Sequence, residues 1–186
     1  MVQRKIFKNT FIIRLAFVSL SVFQSGSLAA SGFIGSAAPQ FRVQAGDNKE
    51  LTLDMIKGKV AVIFYENKDI VDANKTLKDE LNKLYYEQTE ALKDVLVRLP
   101  IIDCSGAVWP FVGVWKNKLR EYSKKEGVTI YCDWKGKMSS DYKMAPGVSN
   151  VVIIDKSGTI RFFTSGDVNA ETINGVKELL KTLARE

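Results

Sequence analysis

The 186-residue chain has no histidine. That absence removes Ser-His-Asp and Cys-His catalysis and the commonest metal ligand together. Cysteine is nearly as scarce, with Cys104 and Cys132 the only two. They permit one pairing, and two isolated cysteines without histidine make a poor zinc site. Internal repeats and low-complexity tracts are also missing, so one domain with a substantial core is expected.

The N-terminus differs in kind from the rest. Arg4, Lys5, Lys8 and Arg14 lead into the apolar segment Leu15 to Phe23, and small residues follow through Ala29 and Ala30. This three-part pattern predicts a secretory signal peptide over 1–30, cleaved near Ala29 or Ala30, and a mature chain of 31–186. The apolar segment is about half the ~20 residues a spanning helix needs, so no membrane association is expected after cleavage. No cysteine sits near the cleavage site, so a lipoprotein is not expected. The chain carries a formal charge of +6. The four basic leader residues account for four of those charges, which leaves +2 and removes the case for nucleic acid as a partner. Lys116, Lys118, Arg120, Lys124 and Lys125 fit one solvated helix face. A periplasmic or secreted location is expected.

In the mature chain, Val60 to Tyr65 is an unbroken apolar run, which predicts a central strand covered on both faces. Leu51 and Leu53 precede it in a short extended segment, followed by one helical turn near Asp54 to Lys57. The polar loop Glu66 to Asn74 then leads into an amphipathic helix from Ala73 to about Tyr86, with Leu77, Leu81, Leu84 and Tyr85 on its apolar face. Val95 to Asp103 is strand-like but interrupted by Pro100, which predicts a bulge there or a strand starting near it. Val114, Trp115, Leu119 and Tyr122 define a further helix closed by Gly127, and Val128 to Tyr131 a short strand. Val151 to Ile154 and Thr159 to Phe163 form a hairpin around Asp155–Lys156–Ser157–Gly158. Asn169 caps a final helix whose buried stripe is Ile173, Val176, Leu180 and Leu183.

This order resembles the thioredoxin-like superfamily, in its redoxin form. The entry Ala38-Pro-Gln-Phe41, the Leu51-to-Lys59 segment and Val148 to Gly158 carry the likeness. It implies an α/β fold with a central mixed β-sheet flanked by helices on both faces. The loop after the first central strand carries the reactive cysteine in that superfamily, and here Glu66 to Asn74 has none. Ser149 stands where the superfamily has a cis-proline. A closer likeness, resting on Gly58-Lys59-Val60, Asn74-Lys75-Thr76-Leu77, the hairpin and the Glu178-Leu-Leu-Lys-Thr-Leu183 ending, is to the periplasmic YtfJ-type proteins, which bring no settled activity.

In the redoxin topology the strands ending at Cys104 and Cys132 are neighbours, so both cysteines reach one sheet edge. Either a disulfide or two separate thiols fits, because a one-residue slip would point them to opposite faces. A bridge would be structural or redox-active; the adjacent aspartates disfavour a reactive thiolate. The same edge collects Glu66, Asn67, Lys68, Asp69, Asp103, Ser105, Asp133, Ser149 and Asn150, which would line a groove for a peptide, protein or small ligand. Strand-end carboxylates can hold a hard cation, but loop polarity and capping account for them, and no metal or cofactor is expected. Trp109 and Trp134 are the aromatic candidates for a binding surface, one of them a lid packed on the sheet. Two functions follow: a non-catalytic exported binding or accessory domain, or a thiol-disulfide or antioxidant oxidoreductase using Cys104 and Cys132.

Overall fold

The computed structural model describes residues 33–87, 89, 93–107 and 109–186. The signal-peptide expectation for 1–30 lies outside them. Among the described residues seven strands and four α-helices follow in the order β1 (Arg42–Ala45), β2 (Glu50–Thr52), a 3-10 turn (Leu53–Ile56), β3 (Val60–Glu66), α1 (Lys75–Glu87), β4 (Leu96–Asp103), α2 (Val112–Glu126), β5 (Tyr131–Asp133), α3 (Lys137–Asp141), β6 (Asn150–Ile154), β7 (Ile160–Ser165) and α4 (Ala170–Arg185). The sheet order is β2-β1-β5-β4-β3-β6-β7. β3, β4 and β5 run parallel, while β6, β7, β1 and β2 add antiparallel partners on either side. No helix of the described residues is long and apolar enough to cross a membrane.

All seven residues of β3 are buried. Alternation along a strand explains why an unbroken apolar run suits it. Ala61, Ile63 and Tyr65 face a core that contains Phe41, Leu53, Ile56, Met138, Tyr142 and Met144. Val60, Val62 and Phe64 face the other way, onto Leu77, Leu81 and Leu84 of α1 and the expected stripe of α4. Each such side chain contributes about 1.5–3 kcal/mol when fully buried. The hairpin turn forms around Asp155, whose Oδ1 accepts from the Ser157 and Thr159 N–H groups at 2.9 Å each, with Gly158 at φ 87°. The Asn169 Oδ1 accepts from Thr172 N–H at 2.8 Å and starts α4.

Two strands depart from the sequence expectation. β4 runs through Pro100 without interruption, opposite Phe64 of β3. Cys104 N–H donates to Asp133 O on the β5 side, and alternation points the Pro100 nitrogen to that same side. There β5 pairing begins only at Tyr131, opposite Ile101, so the missing N–H breaks no ladder bond. β5 itself starts at Tyr131 rather than Val128. The end of α2 engages the preceding amides: Val128 N–H donates to Ser123 O at 3.2 Å and Ile130 N–H to Ser123 Oγ at 2.9 Å.

α2 is the least embedded of the long helices. It buries one residue, Leu119, against Ile102, Cys104 and Cys132. On its β1 side it approaches closely enough that a Cβ on Gly46 would lie 2.4 Å from Lys116 O. Lys116 donates to Asn48 Oδ1 at 2.6 Å and Arg120 to Gly46 O at 3.4 Å, so these two of the five clustered cations clamp a turn, and the other three are exposed.

Candidate functional site

β3 ends at Glu66, whose carboxylate is only 5% exposed. Lys78, one turn into α1, donates to both Glu66 oxygens at 2.7 and 2.8 Å, and Ser149 Oγ donates to Oε1 at 2.7 Å. Lys78 also donates to Val71 O at 2.8 Å, which ties the intervening loop to the helix. Burial pushes the Glu66 carboxyl above its ordinary value, against the pull of the Lys78 and Ser149 hydrogen bonds. Glu66 at the end of β3 is therefore tied to α1 by an ion pair and to Ser149, next to the start of β6, by a hydroxyl. Asn67 Oδ1 accepts from Asp69 N–H at 2.8 Å in a local turn, and Asp69 pairs with Lys68 at 2.6 Å in solvent.

The other predicted edge residues divide by burial. Ser105 is exposed, and its N–H is held by Asp103 Oδ1 at 2.9 Å. Asp133 is 2% exposed and Asn150 1%, so both stand behind the edge instead of lining it. Asp133 starts α3, accepting from the Lys137, Met138 and Ser139 N–H groups. Asn150 exchanges hydrogen bonds with the Ala145 N–H and O and receives Ser165 Oγ at 2.6 Å. Trp134 is the lid, packed on the Cys104–Cys132 cluster with Lys116 Nζ 5.7 Å from its ring centre. Trp109 is 88% exposed, beside Phe111 at 58%.

Cys104 and Cys132 form a disulfide with their α-carbons 5.7 Å apart. Ile102 pairs with Cys132 across the parallel strands, so the register places both sulfurs on one face. Neither residue is exposed at all, which keeps the bridge from any approaching thiolate.

A concavity over β4 was not legible in the sequence. Leu96, Arg98, Pro100 and Ile102 lie on the same face of β4 as Phe64 lies on β3. α1 covers β3 and α2 covers β5, so this face of β4 is left between them as the floor of a trough of about 830 Å³. A second hollow of about 330 Å³ continues it past Arg98 to Leu96 and Tyr86. Glu66, Lys68 and Asp69 close one end. The signal in the sequence was Arg98 itself, a charge inside an otherwise apolar strand.

A mixed sheet with this order and helices on both faces is a thioredoxin-like fold. The chain belongs to the family described as bacterial protein of unknown function (YtfJ_HI0045), which matches residues 39–183. No curated protein matches it by sequence. Among solved structures it is similar to a candidate thiol:disulfide interchange protein, DsbE, of Chlorobium tepidum (12% identity, 81% of this chain and 97% of that one, TM-score 0.61). It is also similar to a candidate protein disulfide isomerase of Bacteroides thetaiotaomicron (22%, 82% and 91%, 0.56). A third likeness is to the exposed lipoprotein thioredoxin of Streptococcus pneumoniae (19%, 78% and 100%, 0.54). At these identities the likeness establishes the fold.

Proposed function

We propose that this protein is an exported, non-catalytic thioredoxin-fold binding module. The observation that carries the reading is the Glu66–Lys78–Ser149 arrangement: the loop after β3 has no thiol and is bracketed by an ion pair between Glu66, buried at the end of β3, and Lys78, partly exposed on α1. What remains beside it is concave surface with apolar and charged lining, the chemistry of a binding site. The expected result is that the oxidised protein accelerates neither insulin reduction by dithiothreitol nor disulfide formation in a reduced substrate protein, and that Cys104→Ser leaves those rates unchanged. Acceleration that Cys104→Ser abolishes would sink the proposal.

A second reading, a thiol-disulfide oxidoreductase, is favoured by the placement of Cys104 and Cys132 at the C-terminal ends of β4 and β5. It needs the bridge to open near the potential of periplasmic oxidants, above the range below about −300 mV typical of structural disulfides. The complete burial of both sulfurs weighs against it.

Export rests on the N-terminal pattern of charge, apolar run and small residues. The full chain expressed in a Gram-negative host should fractionate with the periplasm, with its first residue at Ala30 or Ser31. An intact Met1 on protein held in the cytoplasm or membrane would overturn export and leave the binding reading standing.

A further inference from the structure

Arg98 sits at the middle of the trough floor, half-buried, with the larger hollow on one side and the smaller one on the other. Its guanidinium donates to the Asn82 side-chain oxygen, and among the described residues no carboxylate is ion-paired with it. The acids along the walls are otherwise engaged: Asp79 with Lys75 at 3.0 Å, Asp69 with Lys68 at 2.6 Å, and Glu126 with Lys125 at 3.9 Å. Asp72 is exposed at the far end, near Glu66. An arginine with five donors and one neutral partner retains capacity for a bidentate carboxylate.

The residues around it fix the rest of the ligand's chemistry. Leu96 lies two residues before Arg98 on the same face, and Pro100 and Ile102 lie two and four after it. Val114 and Tyr122 on α2 are 56% and 52% exposed at the rim. The trough thus reads apolar, cation, apolar, at the roughly 6.6 Å pitch of alternate strand residues. An extended peptide has the same pitch. A fatty acid carries its carboxylate at one end, whereas the cation here has apolar floor on both sides.

We propose that the trough between α1 and α2 binds an extended peptide segment in which an acidic residue, seated on Arg98, is flanked two positions away on each side by apolar residues. This rests on the binding reading above and adds the ligand class. The groove lies on the sheet face over β4, and Trp109 is not part of it.

The test uses the mature chain, uniformly labelled with nitrogen-15, and a pool of heptapeptides with Glu at the centre and Val, Leu, Ile or Phe two positions to either side. Amide shifts should saturate and cluster in β4, α1 and α2. The same pool with Gln at the centre should bind at least tenfold more weakly. Arg98→Met should lose tenfold or more, and Arg98→Lys should keep part of the affinity. Val114→Asp, on an exposed rim position, should weaken binding without disturbing the core, so the outcome does not depend on how Arg98→Met folds. Equal binding of the Gln pool, or no saturable shift at millimolar peptide, would overturn the proposal. So would saturable binding of decanoate that excludes the peptides. Shifts confined to 66–69 and 149 would overturn it too, while the binding module itself would stand. Cysteine-dependent catalysis would instead remove the parent reading.

Discussion

Replacing both Cys104 and Cys132 by alanine is expected to cost about 3 to 4 kcal/mol of stability, the loop-closure value for a bridge of this span. The two residues are separated by 28 positions. For a domain of this size the loss corresponds to a fall in Tm of roughly 10 °C. The damage should not be uniform. The closed loop contains α2, which buries only Leu119, against the bridge and its neighbours, so the bridge supplies much of the packing that holds this helix down. Hydrogen exchange in the double variant should therefore show 112–126 losing protection while β3, β6 and α4 keep theirs. Peptide binding should fall as well, because α2 is one wall of the trough. A double variant with unchanged Tm and unchanged protection of α2 would show that the bridge is not a staple and would return weight to a redox role.

The parts legible in the sequence are those set by local pattern. The apolar run of β3, the Asp155 turn and the α4 stripe each follow from a single stretch of chain and were found where the pattern put them. The cysteine pair required one step more, an alignment of two strand ends, and the register of Ile102 on Cys132 settled it as a bridge. What escaped depends on neighbours distant in sequence. Pro100 is tolerated in β4 because β5 is too short to reach it, and β5 is short because Ser123 at the end of α2 takes the amides of Val128 and Ile130. The candidate edge residues were legible as polar loop positions. Their burial was not: Asp133 and Asn150 are turned inward by α3 and by the Ala145 loop. The trough escaped because a strand reveals its own alternation but not which helices will cover it.

Lys78→Met is expected to destabilise the protein by about 3 kcal/mol at neutral pH. Methionine keeps a stem of similar length but loses the ammonium that lies 5.2 Å from the Phe64 ring centre, and the larger part of the loss comes from stranding Glu66, 5% exposed, without its cation. The figure sits at the lower end for a broken buried pair because the Lys78 side chain keeps 20% of its exposure and water can enter. The pH dependence separates this from a packing defect. Glu66 in the folded state has a pKa raised above 4.5, first by desolvation. Its contribution to stability is therefore complete below the unfolded value and is lost as pH rises through the folded one. Removing the lysine raises the folded value further, so the variant should lose more, and over a wider span of pH, than the wild type. Urea unfolding at pH 4 and pH 7 should show the two proteins nearly equal in acid and far apart at neutrality. Glu66→Gln in the Lys78→Met background should restore most of the loss at pH 7, since an amide can keep Ser149 as a partner without a buried charge. A deficit of the same size at both pH values would mean that Lys78 acts through its contacts with Phe64 and Val71 and that the ion pair is incidental. If the pH-dependent pattern holds, the loop that closes one end of the trough is fastened by charge, and a ligand entering there would meet a fixed wall.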